Sequence, residues 1–490
     1  MSTSSPPQAT AIDVTGIDDV DEFFMQQGYT DGLPVILPQR RRVEAMLRGT
    51  SLPREEVLGM VPPSYNPVTV EFASIAAVMA GCTPEMFRLV LASLRGILRS
   101  EYGLHGVHAT TMGATPVVVV NGACRHTASV NFTHGVCGSG SRSTSICRAL
   151  KLIIQNVGRA KLRGTESTTI GTPMKFGLCL GEWEERASMW MPLAVERGAV
   201  HREEDAVTVT AASSGPVQIV DVNASPAELP KRLGKALAAA YSPVLPLVSE
   251  CMLVISPEHY DTLVAGGYDS KRKVQEVLWK EASVHMGPAI PPSLVLLGKL
   301  RFPKVPSIVF RVLGHLLRLL SGSVQALGVK WTPLPKFPQP EALQIVMAGG
   351  EAGKFSSFMP GFGVGPPGSA GANMSRPVTE RVEPRPETLD LPKPKVSPDD
   401  CAVLCPVVKL DAGMAGGLAS RTGQLPDVIG LLDISKVRGS ELLDVIEKKL
   451  QARGARTRRY CKPTFSRPCP SDLRRRVASE CRGVVLGLAD

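Results

Sequence analysis

VIGLLDISK at 428–436, KPTFSRPCP at 462–470 and VVLGLAD at 484–490 hold the ends of three strands, with helix-length polar stretches between the strands. Strands alternating with helices read as βαβ units, whose strands lie parallel in one sheet. Segment 426–490 is therefore expected to fold as a small parallel-sheet unit of Rossmann or flavodoxin type, in the order strand, helix, strand, helix, strand. Chemistry in such sheets sits just past the carboxyl ends of the strands. Those ends would bring Asp433, Ser435, Lys436, Lys462, Ser466 and Asp490 to one edge, where cations would favour a thiolate, a selenolate or an anionic substrate. Solvated turns are the plain alternative. A parallel strand needs both faces covered, so a unit whose last strand is followed only by Asp490 looks truncated.

Working outward, Gly, Pro and Ser crowd the preceding stretch, and 349–425 reads as a linker. Residues 17–348 carry alternating helical and strand patterns, giving a large N-terminal α/β domain behind a disordered tail at 1–16. Within it, Thr83-Pro84-Glu85 opens a helix with apolar residues at helical spacing from Phe87 to Leu98. The β-branched run at 115–120 predicts a buried strand that ends in Asn121-Gly122. The fold class is α/β throughout.

A net charge of +10 and a pI near 9.1 invite a nucleic-acid reading, but the basic residues are dispersed and no binding module accompanies them. Neither nucleic acid nor membrane is an expected partner, since the apolar runs are short and interrupted by charge. The 11 cysteines show no paired zinc spacing and no C-x-x-C motif, which fits buried thiols in a reducing cytoplasm. No metal site is expected, because the histidines at 105, 108, 126 and 134 form no i, i+4 pair.

HGVCGSGSRSTS at 134–145 is the most chemically suggestive internal stretch. Gly138 and Gly140 would let backbone approach a ligand, the helix expected from 138 would offer N–H groups to an anion, and Arg142 and Ser143 would add contacts. Cys137 at a helix start would have a lowered pKa and could act as a nucleophile. A capped glycine-serine turn without chemistry explains the same residues. GEWEE at 181–185 clusters carboxylates, from which Glu182 is taken as a candidate acid–base group; a solvated charged segment is the alternative.

The C-terminal runs together resemble the end of the UGSC family, selenoproteins and their cysteine homologues, in which a similar stretch leads directly into selenocysteine-Gly-Ser-Cys. TDGLPVI at 30–36, VMAGC at 78–82, Asn121-Gly122, the glycine run ending at Arg142 and AGG at 348–350 agree, so that the resemblance covers nearly the whole chain. It adds Asp31 and Asn121 as candidate substrate contacts. It also implies that Asp490 precedes a selenocysteine whose UGA codon has been read as a stop; a real truncation, leaving an inactive or repurposed protein, is the rival. No cofactor beyond that selenocysteine is expected.

The resemblance implies a selenol- or thiol-dependent oxidoreductase or reductive-cleavage enzyme acting on a small anionic substrate. A thiol electron donor or partner subunit would serve it, and a homo-oligomer is expected. A lyase, hydratase or acyl-transfer enzyme centred on the N-terminal domain is one alternative. A non-catalytic binding or assembly subunit is the other.

Overall fold

The computed structural model describes residues 6–138, 141–161, 164–243, 245–284, 334–365, 371, 374–390, 403–408, 428–435, 439–463 and 469–487. Gly140, Lys436, Ser466 and Asp490 lie outside the described residues.

Two helices are defined by local sequence. In α1 (Val70–Ala80) the Thr69 hydroxyl accepts from the Phe72 N–H, and Gly81 closes the helix at φ 87°. Every residue of α1 is buried, as its apolar sequence requires. In α2 (Pro84–Leu98) proline occupies the first turn, where its missing N–H costs nothing.

Eight strands make the centre of the N-terminal part: β1 (Thr115–Asn121), β2 (Leu178–Gly181), β3 (Ala206–Ala212), β4 (Val217–Val220), β5 (Cys251–Ile255), β6 (Leu343–Met347), β7 (Phe355–Pro360) and β8 (Val378–Arg381). They form two four-stranded sheets, ordered β8-β3-β1-β2 and β6-β5-β7-β4. Between β1 and β2 lies α3 (Thr144–Asn156); α4 (Leu229–Leu237) precedes β5, and α5 (Pro257–Ala265) and α6 (Lys271–Glu281) follow it. Strand alternation explains the layering. Val118 and Val120 join the core beneath α1, α2 and α3, while Val117 and Val119 meet Met252, Val254 and Val346 of the other sheet. Leu253, Ile255 and Ile345 face α4, α5 and α6. The order is helices, sheet, sheet, helices.

The two sheets are copies of one topology. In the first, Cys179, Val118, Val209 and Val378 stand in one register row; in the second the row is Ile345, Leu253, Phe358 and Val217. Parallel, antiparallel and antiparallel pairings follow in the same sequence in both. Each half contributes its last strand to the other sheet, β4 to the second and β8 to the first. Where β3 and β7 cross, Ser213 N–H donates to the Pro360 carbonyl and Phe362 N–H to the Ala211 carbonyl, both at 2.8 Å, around a bridge between Ala212 and Gly361. Those two bonds exchange under the register match, so a pseudo-twofold passes between Ala212 and Gly361.

Three expectations are corrected. β7 and β8 fall inside the stretch expected as a linker, yet β7 is an interior strand; glycine and proline on either side hide a pairing that is entirely long-range. Ala11–Ile12 pairs with Val403–Leu404, and Ala9 N–H donates to Glu71 at 2.9 Å, so the described part of the expected tail is tied down. The helix expected from 138 begins at Thr144, after a turn closed by Gly138 N–H on the Gly135 carbonyl.

The C-terminal unit follows its expectation. β9 (Val428–Asp433), β10 (Arg456–Cys461) and β11 (Gly483–Gly487) are parallel in the order β10-β9-β11, with α7 (Gly439–Gln451) and α8 (Ser471–Glu480) as crossovers. No described helix is long and apolar enough to cross a membrane.

Candidate functional site

The 28–34 loop is stapled to α3 by side chains on one helical stripe. Arg148 holds Asp31 through two bonds of 2.8 and 2.9 Å, and Gln155 donates to the Thr30 and Gly28 carbonyls. Burial pushes the Asp31 carboxyl up, but the Arg148 hydrogen bond and charge outweigh it and hold the group below its ordinary range. Beside this loop, at the amino ends of β1 and β2, a cleft of about 770 Å³ opens between α3 and the 160–176 loop.

Lysines dominate the cleft. Lys151 and Lys175 reach Glu166 at 3.4 and 2.6 Å, and Glu166 is pulled below its ordinary value because their charges overcome its burial. The Lys161 ammonium lines the same space without an ion pair among the described residues. With Asp31 already matched by Arg148, three lysines face one unmatched carboxylate. Ile170 at 96% exposure and Phe176 at 48% stand at the rim. The cleft thus suits a small anion with an apolar portion. Composition and motif reading did not find Lys151, Lys161, Glu166 or Lys175; the spacing Arg148, Lys151, Gln155 along one face of α3 was the available signal.

The opposite, carboxyl ends of β1 and β2 are closed by the protein itself. Glu182 is 1% exposed and accepts from Lys271 Nζ at 2.6 Å, Leu193 N–H at 2.7 Å and Asn121 Nδ2 at 2.8 Å. Glu184 accepts from Asn121 and from Gly122 N–H, and Arg125 forks onto Glu185. Burial raises Glu185, yet Arg125 and His126 bring it down to about 2. Glu182 and Asn121 are therefore together, as candidates, but inside a satisfied ionic cluster and not a solvated segment.

Cys137 departs from its expectation. Burial pushes its thiol up to about 11, and the helix that was to lower it starts only at Thr144. Ser143 Oγ accepts from Asn131 N–H at 2.7 Å, inside the loop, and Arg142 is exposed and lines neither this cleft nor the one Gly138 lines.

In the C-terminal unit the strand ends are level: Asp433 stands opposite Cys461 on one side and Gly487 on the other. Ser435 N–H donates to Asp433 at 2.8 Å, its hydroxyl donates to the Lys462 carbonyl, and Lys462 N–H donates to the Asp433 carbonyl. Burial lowers the Lys462 ammonium. The first residue of α7, Gly439, lies over Asp433 and Gly487; a Cβ there would be 3.0 Å from the Asp433 carboxylate. This edge lies close to the N-terminal part, where burial lowers His105 and the Lys462 charge adds to the effect.

Residues 402–490 match the model of the UGSC family, which agrees with the resemblance of the C-terminal runs. No curated protein and no solved structure matches the chain.

Proposed function

We propose, from a chain whose residues 402–490 are a UGSC-family segment, that the protein serves selenol- or thiol-dependent redox or reductive-cleavage chemistry on a small organic anion. One observation carries the reading. Three parallel strands end level at Asp433, Cys461 and Gly487, so the residue types the family places after such a strand would stand beside Ser435, Lys462 and the first turn of α7.

A selenolate or thiolate there would attack an electrophilic sulfur of the substrate. A Se–S or S–S bond forms while the leaving sulfur departs with the bonding pair and takes up a proton. A second thiol displaces the captured fragment, and an external dithiol returns the electron pair that restores the nucleophile. The lysine-lined cleft is the place for the anion. Acyl transfer through Cys137 draws no support, since its thiol is pushed up to about 11 and bonds to no imidazole or carboxylate among the described residues.

Extending the chain after Asp490 by Cys-Gly-Ser-Cys tests the chemistry. Dithiothreitol-dependent reduction of an aromatic disulfide is expected from the extended form at a rate well above that of a chain extended by Ser-Gly-Ser-Ser; equal rates contradict the reading. The cleft has its own test. Lys175→Met is expected to weaken binding of malonate about tenfold, the value of one charge-assisted contact, read by calorimetry; unchanged affinity removes the cleft from the proposal.

A further inference from the structure

The pseudo-twofold makes the carboxyl ends of β1–β2 and β5–β6 counterparts. Glu182 N–H donates to the Val120 carbonyl at 3.1 Å, and Ala348 N–H donates to the Ile255 carbonyl at 3.0 Å, in matching register. Extending that match pairs Asn121 with Ser256, Gly122 with Pro257, and Glu182, Trp183 and Glu184 with Ala348, Gly349 and Gly350. The first half fills its own strand ends with large side chains, Glu184 reaching Asn121 Nδ2 at 2.9 Å and Gly122 N–H at 2.8 Å. In the second half Ala348, Gly349 and Gly350, the counterparts of Glu182, Trp183 and Glu184, carry nothing larger than a methyl group. A cleft of about 460 Å³ opens there, and a Cβ on Gly350 would come within 2.6 Å of the His134 ring.

The lining states what would fit. Among the described residues no charged side chain borders this cleft. The donor that Gly122 offers a carboxylate has proline as its counterpart, so the anion cradle of the first half is not repeated. Ser256 Oγ donates to the Gly353 carbonyl at 2.9 Å and accepts from Phe355 N–H at 3.4 Å, and Ser357 Oγ donates to the Val217 carbonyl at 3.1 Å, so each oxygen can offer a ligand only a remaining lone pair. The N–H groups of Gly350 and Ala352 and the Gln218 amide meet no acceptor among the described residues. Val254 and Phe355 supply an apolar wall.

We infer that this cleft binds an uncharged ring carrying an amide or lactam, whose N–H faces the serine oxygens and whose carbonyl meets free backbone N–H. The site is separate from the lysine-lined cleft and does not rest on the selenol or thiol reading. It follows the general preference for ligands at the carboxyl ends of parallel strands, and the halves divide the work: one closed by its own side chains, one left open.

Cys137 lines the cleft and reports on its occupancy. With the full chain, iodoacetamide labelling of Cys137 is followed by mass spectrometry with nicotinamide or uracil present, and with their carboxylate relatives nicotinate and orotate as the contrast. At least one neutral ring is expected to slow labelling saturably by about twofold to fourfold, as half- to three-quarter occupancy requires. The carboxylates are expected to protect less. Gln218→Leu, an exposed position, is expected to reduce protection without moving Tm. Protection as strong by nicotinate or orotate overturns the inference, as does no protection by any of the four. Gly350→Leu, which fills the cleft, is a second variant. Undiminished protection in a folded Gly350→Leu chain also overturns it.

Discussion

Lys271→Met is expected to destabilise the N-terminal part by about 3–5 kcal/mol, the usual cost of stranding one member of a buried ion pair. Lys271 is 2% exposed and Glu182 1%, with Nζ and Oε1 at 2.6 Å. Removing the ammonium leaves a carboxylate with only the Asn121 and Leu193 donors in a site that water does not reach. Glu182→Gln leaves the ammonium only the more distant Glu196 carboxylate, at 3.9 Å, and is expected to cost somewhat less. The double variant is expected to cost less than the sum of the two, because neither charge is then left alone. Urea unfolding of all four proteins gives the coupling. Additive costs would show that the pair is not the element that closes these strand ends.

The second large effect is a pH dependence. His108 is 8% exposed, and neither ring nitrogen meets a partner among the described residues. Burial lowers it to about 3, against the pull of Glu166 and with help from Lys151, Lys175 and His105. An unfolded chain takes up this proton near pH 6.5, whereas the native chain takes it up only near 3. Between those values the unfolded state binds more protons, so the histidine costs stability as pH falls. From pH 6.5 to 4.5 the loss amounts to about 2 kcal/mol. His108→Phe is expected to remove that loss, whatever it does to stability at pH 8. His105 and His259 are lowered in the same direction, chiefly by burial, so some slope persists. Identical slopes in the two proteins would mean that the His108 ring is hydrated or paired in solution.

Much of this fold could be read from local pattern. The β-branched run of β1, the Thr83-Pro84 start of α2 and the alternation of strand and helix after Val428 each carry their signal within a few residues. β7 and β8 do not, since Phe355–Pro360 lies among glycines and prolines and its partners Leu253 and Val217 are far away in sequence. The duplication is hidden for another reason. A register match constrains backbone hydrogen bonds and not side chains, so Asn121 can oppose Ser256, and Glu182 can oppose Ala348, without trace in the sequence.

The candidate sites divide in the same way. Asp31 and Glu182 sit where charge matters, but their partners Arg148 and Lys271 come from other elements, and only folding shows that both carboxylates are neutralised. Cys137 differs from its expectation on one local point: the helix begins at Thr144 and not beside it. The C-terminal edge was legible because parallel topology follows from the order of its elements, and Asp433, Cys461 and Gly487 duly end level.

If this edge activates a nucleophile, the ionisation of a thiol placed there must show it. In the chain extended by Cys-Gly-Ser-Cys after Asp490, the pH dependence of iodoacetamide labelling of the first added cysteine gives its pKa. The expected value is about 7 or below, under the free-cysteine value of about 8.5, with a rise of about one unit in Lys462→Met. A pKa at or above the free value, unmoved by Lys462→Met, would contradict the account.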